Sequence, residues 1–206
     1  MPANCLDVPF VTQMKVGAHA GGHYFNDTTG CWYAAVCMLG YYRAPGPRLG
    51  VPEQYSKTKY MRKSTGEVDR AFTATVAEPM GGRYEQLKTN EGLVSVDLPK
   101  SKQWDCTTLW QILQQKGPCY VRRGFVNPTT GELQGGHAIV LVGANPGTDI
   151  VYHHCPTVGP YQEMSIADWN ACFKWDDSRA QAGYSMMYLP PNRNGGRPRS
   201  NAVTSR

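Results

Sequence analysis

Residues 31–42 read CWYAAVCMLGYY, apolar in every direction around a helical wheel, and the pattern predicts a helix buried all round. Asp27, Thr28 and Thr29 supply capping side chains before it, and Pro45 and Pro47 lie beyond its end. Upstream, residues 6–16 read as extended, because Pro9 opposes a helix start, and 17–30 read as a loop rich in Gly, His and Thr. A shorter helix is expected after Pro52, over Glu53–Met61. Residues 64–104 show no strong period; Gly81-Gly82 and Gly92 mark turns within them. Leu109, Trp110, Ile112 and Leu113 then recur at helical spacing, with Thr107 or Thr108 as cap and Gly117-Pro118 as stop. Beyond that the period changes to that of strands: 119–126, His137–Gly143 opening at the histidine, 150–155 as its hairpin partner, and Gly183–Leu189. Turns are expected at 127–131 and 145–147, and Ser165 is expected to cap a short helix through Trp169 and Phe173. Helices first and an antiparallel sheet afterwards is an α+β layout.

The 206 residues fit one domain, or one domain with two lobes. The formal charge of +5 is mostly carried by Arg193, Arg197, Arg199 and Arg206, all in the last fourteen residues. It is therefore a property of the tail, and nucleic-acid binding is not expected. Seven cysteines lie at 5, 31, 37, 106, 119, 155 and 172 with no CxxC pair. That odd number, in apolar runs, suits free thiols in a reducing compartment rather than a disulfide or zinc framework. No run is long and apolar enough for a membrane span, and MPANCLDVPFV has no Sec-type leader. The expectation is export by a non-Sec route with action in a target-cell cytosol, or otherwise residence in the cytoplasm.

Cys31 stands where a Gly-containing loop becomes a helix. Unpaired N–H groups and the positive end of the helix dipole favour a thiolate there. Taken alone, it reads equally as a small core residue. His137 follows Gly135-Gly136 and precedes an apolar strand, a place for a base that meets a sulfur from elsewhere in the chain. Gln13 offers a side-chain amide for an oxyanion. His19 and His23, with His153, His154 and Cys155, invite a metal reading. The glycines between the first two oppose a helical pair, so no metal and no cofactor is expected. The five tryptophans read as core or interface aromatics, with Trp32 the best placed to wall a groove.

In order along the chain, VPFVTQ, GCWYAAVCMLGYY, GPCYVRRGF, GGHAIVLVG and VYHHCPTVGP resemble papain-like cysteine proteases. The likeness is closest to the effector (avirulence) proteases of bacterial plant pathogens and more distant to bacteriocin-processing peptidase domains. It implies a papain-like α+β domain over 1–190. A helical lobe over about 17–75 would carry the nucleophile helix, a sheet lobe would span about 105–190, and a disordered basic tail would occupy 191–206. It implies Cys31 as nucleophile, His137 as base and Gln13 as oxyanion donor in peptide hydrolysis through a thioester. The implied partners are a protein substrate and an immunity or inhibitor protein, acting on a monomer that binds neither nucleic acid nor membrane. The family holds its histidine with an Asp or Asn, often in Asp-Pro, where this chain has Cys155-Pro156. The third position is therefore open among Cys155, His153, His154, Asp168 and Asn170. The alternatives are a same-fold amidase, deamidase or acyltransferase toxin, and a degenerate binding module.

Overall fold

The computed structural model describes residues 1–13, 16–18, 24–25, 31–43, 87–88, 91–127, 129–175 and 183–191. The helix expected over Glu53–Met61, most of the helical lobe expected over 17–75, and residues 192–206 of the expected tail lie outside the described residues. Among the described residues the elements run β1 (Val16–Ala18), β2 (Tyr24–Phe25), α1 (Cys31–Arg43), β3 (Val94–Ser95) and α2 (Cys106–Lys116). They continue as β4 (Cys119–Val126), β5 (Leu133–Asn145), β6 (Ile150–Cys155), β7 (Gly159–Ser165), α3 (Ile166–Cys172) and β8 (Met186–Tyr188). The pairings are antiparallel throughout, in a six-stranded sheet ordered β3-β8-β4-β5-β6-β7 and a separate β1-β2 pair. This is an α+β architecture.

The sheet is buried on both faces, and strand alternation separates two cores. Tyr120, Ala138, Val140, Tyr152 and Met187 face α1, which contributes Trp32, Ala35, Val36, Met38 and Leu39. Cys119, Val121, Ile139, Leu141, Val151 and Met186 face the other way, toward Leu109 and Leu113 of α2 and Trp169 of α3. Trp32 is thus a core residue, 5% exposed, and not a groove wall. The C-terminal end of α1 is tied by Arg43, whose Nε donates to the Leu189 carbonyl at 2.8 Å and whose Nη2 donates to that of Lys116. Gly117 makes room for that guanidinium: its φ is 83°, and a Cβ there would lie 2.8 Å from Arg43 Nη2.

Several boundaries differ from the sequence reading for local reasons. The cap of α2 is Asp105, which accepts the Thr108 N–H and hydroxyl, both at 2.8 Å. Neither expected threonine is the cap; Thr108 is the residue being capped. Strand β5 begins at Leu133, not at His137, because Gly135, with φ 63°, sits in a bulged part of the β4–β5 pairing and does not end it. The expected loop 17–30 contains part of the β1–β2 pair, and β7 is an unexpected strand.

The N-terminal segment forms a strap across the sheet. Ala144 N–H donates to Asn4 O (3.2 Å), Leu6 N–H to Val142 O (2.8 Å), and His154 Nε2 to Val8 O (2.9 Å). Further along, Thr12 Oγ1 and Gln13 N–H both donate to Pro156 O, at 3.0 and 3.1 Å. The strap crosses β5 at a bulge between Leu141 and Gly143. Gly143 is needed there, since an added Cβ would lie 2.6 Å from the Asn4 carbonyl oxygen and against the Cys5 sulfur. Gly143→Ala is expected to lower stability by about 1–3 kcal/mol through that overpacking. Urea denaturation gives the value, and an unchanged midpoint would show that the strap shifts freely.

Candidate active site

The first residue of α1 is Cys31, half-buried at the helix end where backbone N–H groups lack intrahelical acceptors. α1 packs on β5 and β4, and its first turn comes near His137, a half-buried residue of β5. The His137 imidazole hydrogen-bonds the Cys155 thiol and lies close enough to Cys31 for that sulfur to favour the charged ring. On the Cys155 side, Nε2 lies 3.3 Å from the sulfur and 3.3 Å from Thr157 Oγ1. Thr157 Oγ1 is in turn 3.2 Å from the Cys155 sulfur. The Phe125 ring, 52% exposed, packs beside the imidazole with centroids 5.9 Å apart.

Electrostatics follow from these contacts. Burial opposes charge on His137, but the hydrogen bonds to Cys155 and Cys31 and the attraction of their sulfurs outweigh it and raise the imidazole to about 9. Burial likewise opposes a Cys155 thiolate, yet hydrogen bonds from His137 and Thr157 bring that thiol down to about 7. Other thiols go the opposite way: burial pushes Cys5 and Cys106 up to about 11 and Cys119 up to about 12.

Gln13 is buried, and its N–H bond to the Pro156 carbonyl sets it beside the residue that follows Cys155. Of the remaining third-position candidates, Cys155 alone contacts Nε2 of His137. His154 is fully engaged: Nε2 donates to Val8 O and Nδ1 accepts the Tyr161 N–H at 3.1 Å, with Phe10 and Tyr161 edge-on to the ring. Asp168 is used at the start of α3, where its N–H donates to Ser165 Oγ and its carboxylate accepts the Ser165 hydroxyl. Asn170 exchanges two hydrogen bonds with the Trp104 backbone, at 2.8 and 3.0 Å. His153 shares the Cys155 face of β6 but lies 3% exposed against Trp169. His19 and His23 lie outside the described residues. Among the described residues, no group of three or more His, Cys, Asp or Glu side chains is arranged to hold a metal.

Thr157 was not anticipated from the sequence. The signal was present in Cys155-Pro156-Thr157-Val158, since proline favours the second position of a turn and a turn folds its third residue back toward its first. The Val158 N–H closes this turn on the Cys155 carbonyl at 3.1 Å.

Burial, with the nearby charge of Arg123 second, holds His153 neutral down to about 3, whereas an unfolded chain protonates it near 6.5. Its contribution to stability is thus present above pH 6.5 and lost as pH falls toward 3. The urea midpoint is expected to fall through that window, and less steeply in His153→Phe. A variant that follows the wild-type curve would remove His153 from the acid response.

A family model described as papain-like cysteine protease AvrRpt2 matches residues 4–174. That span contains Gln13, Cys31, His137, Cys155 and Thr157.

Proposed function

The chain belongs to the papain-like cysteine protease AvrRpt2 family and is a cysteine-type peptidase, and on that premise we propose that Cys31 and His137 are the nucleophile and the base with which it cuts another protein. The observation that carries the assignment is that the thiol at the N-terminus of α1 lies within electrostatic reach of the His137 imidazole.

The chemistry follows from that contact. With Nε2–H of His137 engaged by Cys155 and Thr157, Nδ1 is left to hold the proton given up by Cys31, so the attacking form is imidazolium with Cys31 thiolate. The thiolate attacks the scissile carbonyl carbon, a C–S bond forms, and the carbonyl electron pair moves onto oxygen. The Cys31 backbone N–H and the Gln13 side-chain amide donate to that oxyanion. The imidazolium then protonates the leaving amine as the C–N bond breaks, giving a thioester. Water, deprotonated by the same imidazole, attacks the thioester and releases the acid product and the thiol. Burial of Gln13 on the strap supports its role by limiting the freedom of the donor before substrate arrives. The exposed Phe125 ring beside His137 supplies apolar wall for a polypeptide.

The same reading places the substrate between a helical lobe over about 17–75 and a sheet lobe over about 105–190, with 191–206 as a basic tail. Membership of a bacterial effector protease family supports export and action inside a target cell. Among the described residues no helix is long and apolar enough to cross a membrane.

The full chain is expected to cleave protein substrate in a proteome-wide N-terminal labelling assay. Cys31→Ala and His137→Ala are each expected to lower kcat by about 10⁴-fold or more, and Gln13→Ala by about 10²–10³-fold. Circular dichroism checks that each variant is folded. Undiminished cleavage by folded Cys31→Ala would end the assignment.

A further inference from the structure

We infer that Cys155 and Thr157 together hold the His137 ring in its working orientation, a hydroxyl–thiol pair acting where a carboxylate or amide would ordinarily stand. The inference rests on the dyad reading above and deepens it. Neither side chain touches the reacting atoms, so both are positioning residues.

The geometry is a closed triangle. His137 Nε2, Cys155 Sγ and Thr157 Oγ1 are separated by 3.3, 3.3 and 3.2 Å. A thiol alone orients an imidazole poorly, because sulfur is a weak acceptor and its contacts are long. Two features correct this. The Thr157 hydroxyl has one proton and two lone pairs, so it can donate to the sulfur while accepting from Nε2–H. That donation favours the thiolate, and a charged acceptor holds a hydrogen bond more strongly than a neutral one. Burial of Cys155, at 6% exposure, reduces competition from water. The direction of its titration, down to about 7 against the burial that opposes it, agrees with this arrangement.

The backbone explains why both groups arrive together. Strand β6 ends at Cys155, and the turn closed by the Val158 N–H folds Thr157 back over the sulfur. Pro156, between them, gives its carbonyl to both Thr12 and Gln13. One short turn therefore sets the ring orientation and anchors the strap bearing the oxyanion donor.

Other charged or titratable groups face His137 as well. Cys31 approaches from α1, His153 lies two residues before Cys155 on β6, and Arg123 is directly opposite in the β4–β5 register. All three stay in place in the variants below, so a change in His137 titration reports the triangle.

The experiment follows the His137 ring by NMR through a pH titration of the full chain, with kcat, KM and the pH profile of cleavage measured beside it. In Cys155→Ala the imidazole midpoint is expected to drop from about 9 toward 6.5. The alkaline limb of the profile moves down with it, and kcat falls on the order of 10²-fold with KM little changed. Thr157→Val is expected to move the same quantities in the same direction, with a kcat loss of about tenfold. Thr157→Ser and Cys155→Asp are expected to retain the raised midpoint and most of kcat. Cys155→Ser, with removal of charge but little loss of volume, takes the place of Cys155→Ala if the latter unfolds. A His137 midpoint and pH profile equal to wild type in both Thr157→Val and the folded Cys155 variant would overturn the inference. Because the titration needs no substrate, that result is distinct from failure of the dyad, which would appear as undiminished cleavage by His137→Ala.

Discussion

The turn from Cys155 to Val158 is where the separate parts of the molecule are made to agree. Its first residue holds one side of the His137 ring, its proline carbonyl receives the N-terminal strap, and its threonine bridges the ring and the sulfur. The bonds are ordinary ones of roughly 1 kcal/mol each. Their importance lies in convergence: displacement of the turn would disturb the proposed base and the proposed oxyanion donor at once. The sheet resists such displacement because β6 is paired on both sides, with β5 and β7.

The sheet also solves a problem of reach. A thiol at a helix end and an imidazole in a strand meet only if the helix axis is fixed in three dimensions. Apolar packing of α1 onto Tyr120, Val140 and Met187 fixes its height above the sheet. The Arg43 bonds to two carbonyls fix its far end. Bulges in β5 then adjust the strand itself. The one near Gly143 changes the phase of alternation, so that Leu141 and Ala144 reach the same core although three residues apart. The one near Gly135 lies just before His137.

Much of this could be read from residue types. The α1 run, the limits of β4 and β6, and the Ser165 cap of α3 all follow from local chemistry. The failures are physical as well. Strand β7 reads GPYQEMS and is only partly buried along its length, so it lacks the clean alternation that marks a strand with one covered face. Asp105, Thr107 and Thr108 are all capping types, and only the direction of a hydrogen bond decides among them. At the site, Cys31 and His137 were visible because a thiol at a helix start and an imidazole after two glycines are unusual positions. The third position was left open among five candidates, Cys155 included, and only folding shows which of them reaches the ring. His154 was the instructive rival: adjacent in sequence to Cys155, it points to the opposite side of the strand and binds the strap.

The span of the strap has a consequence for when the protein becomes active. Thr12 meets Pro156 across 144 residues of chain, and His137 lies far in sequence from Cys31. Loop closures of that length spend chain entropy before their contacts reward it, so such non-local pairing is slow to form. A chain still emerging from the ribosome, or held extended by any carrier, has its sulfur but no assembled machinery around it. Proteolytic competence is thus coupled to completion of the fold, which leaves an unfolded chain unable to cut the proteins it passes.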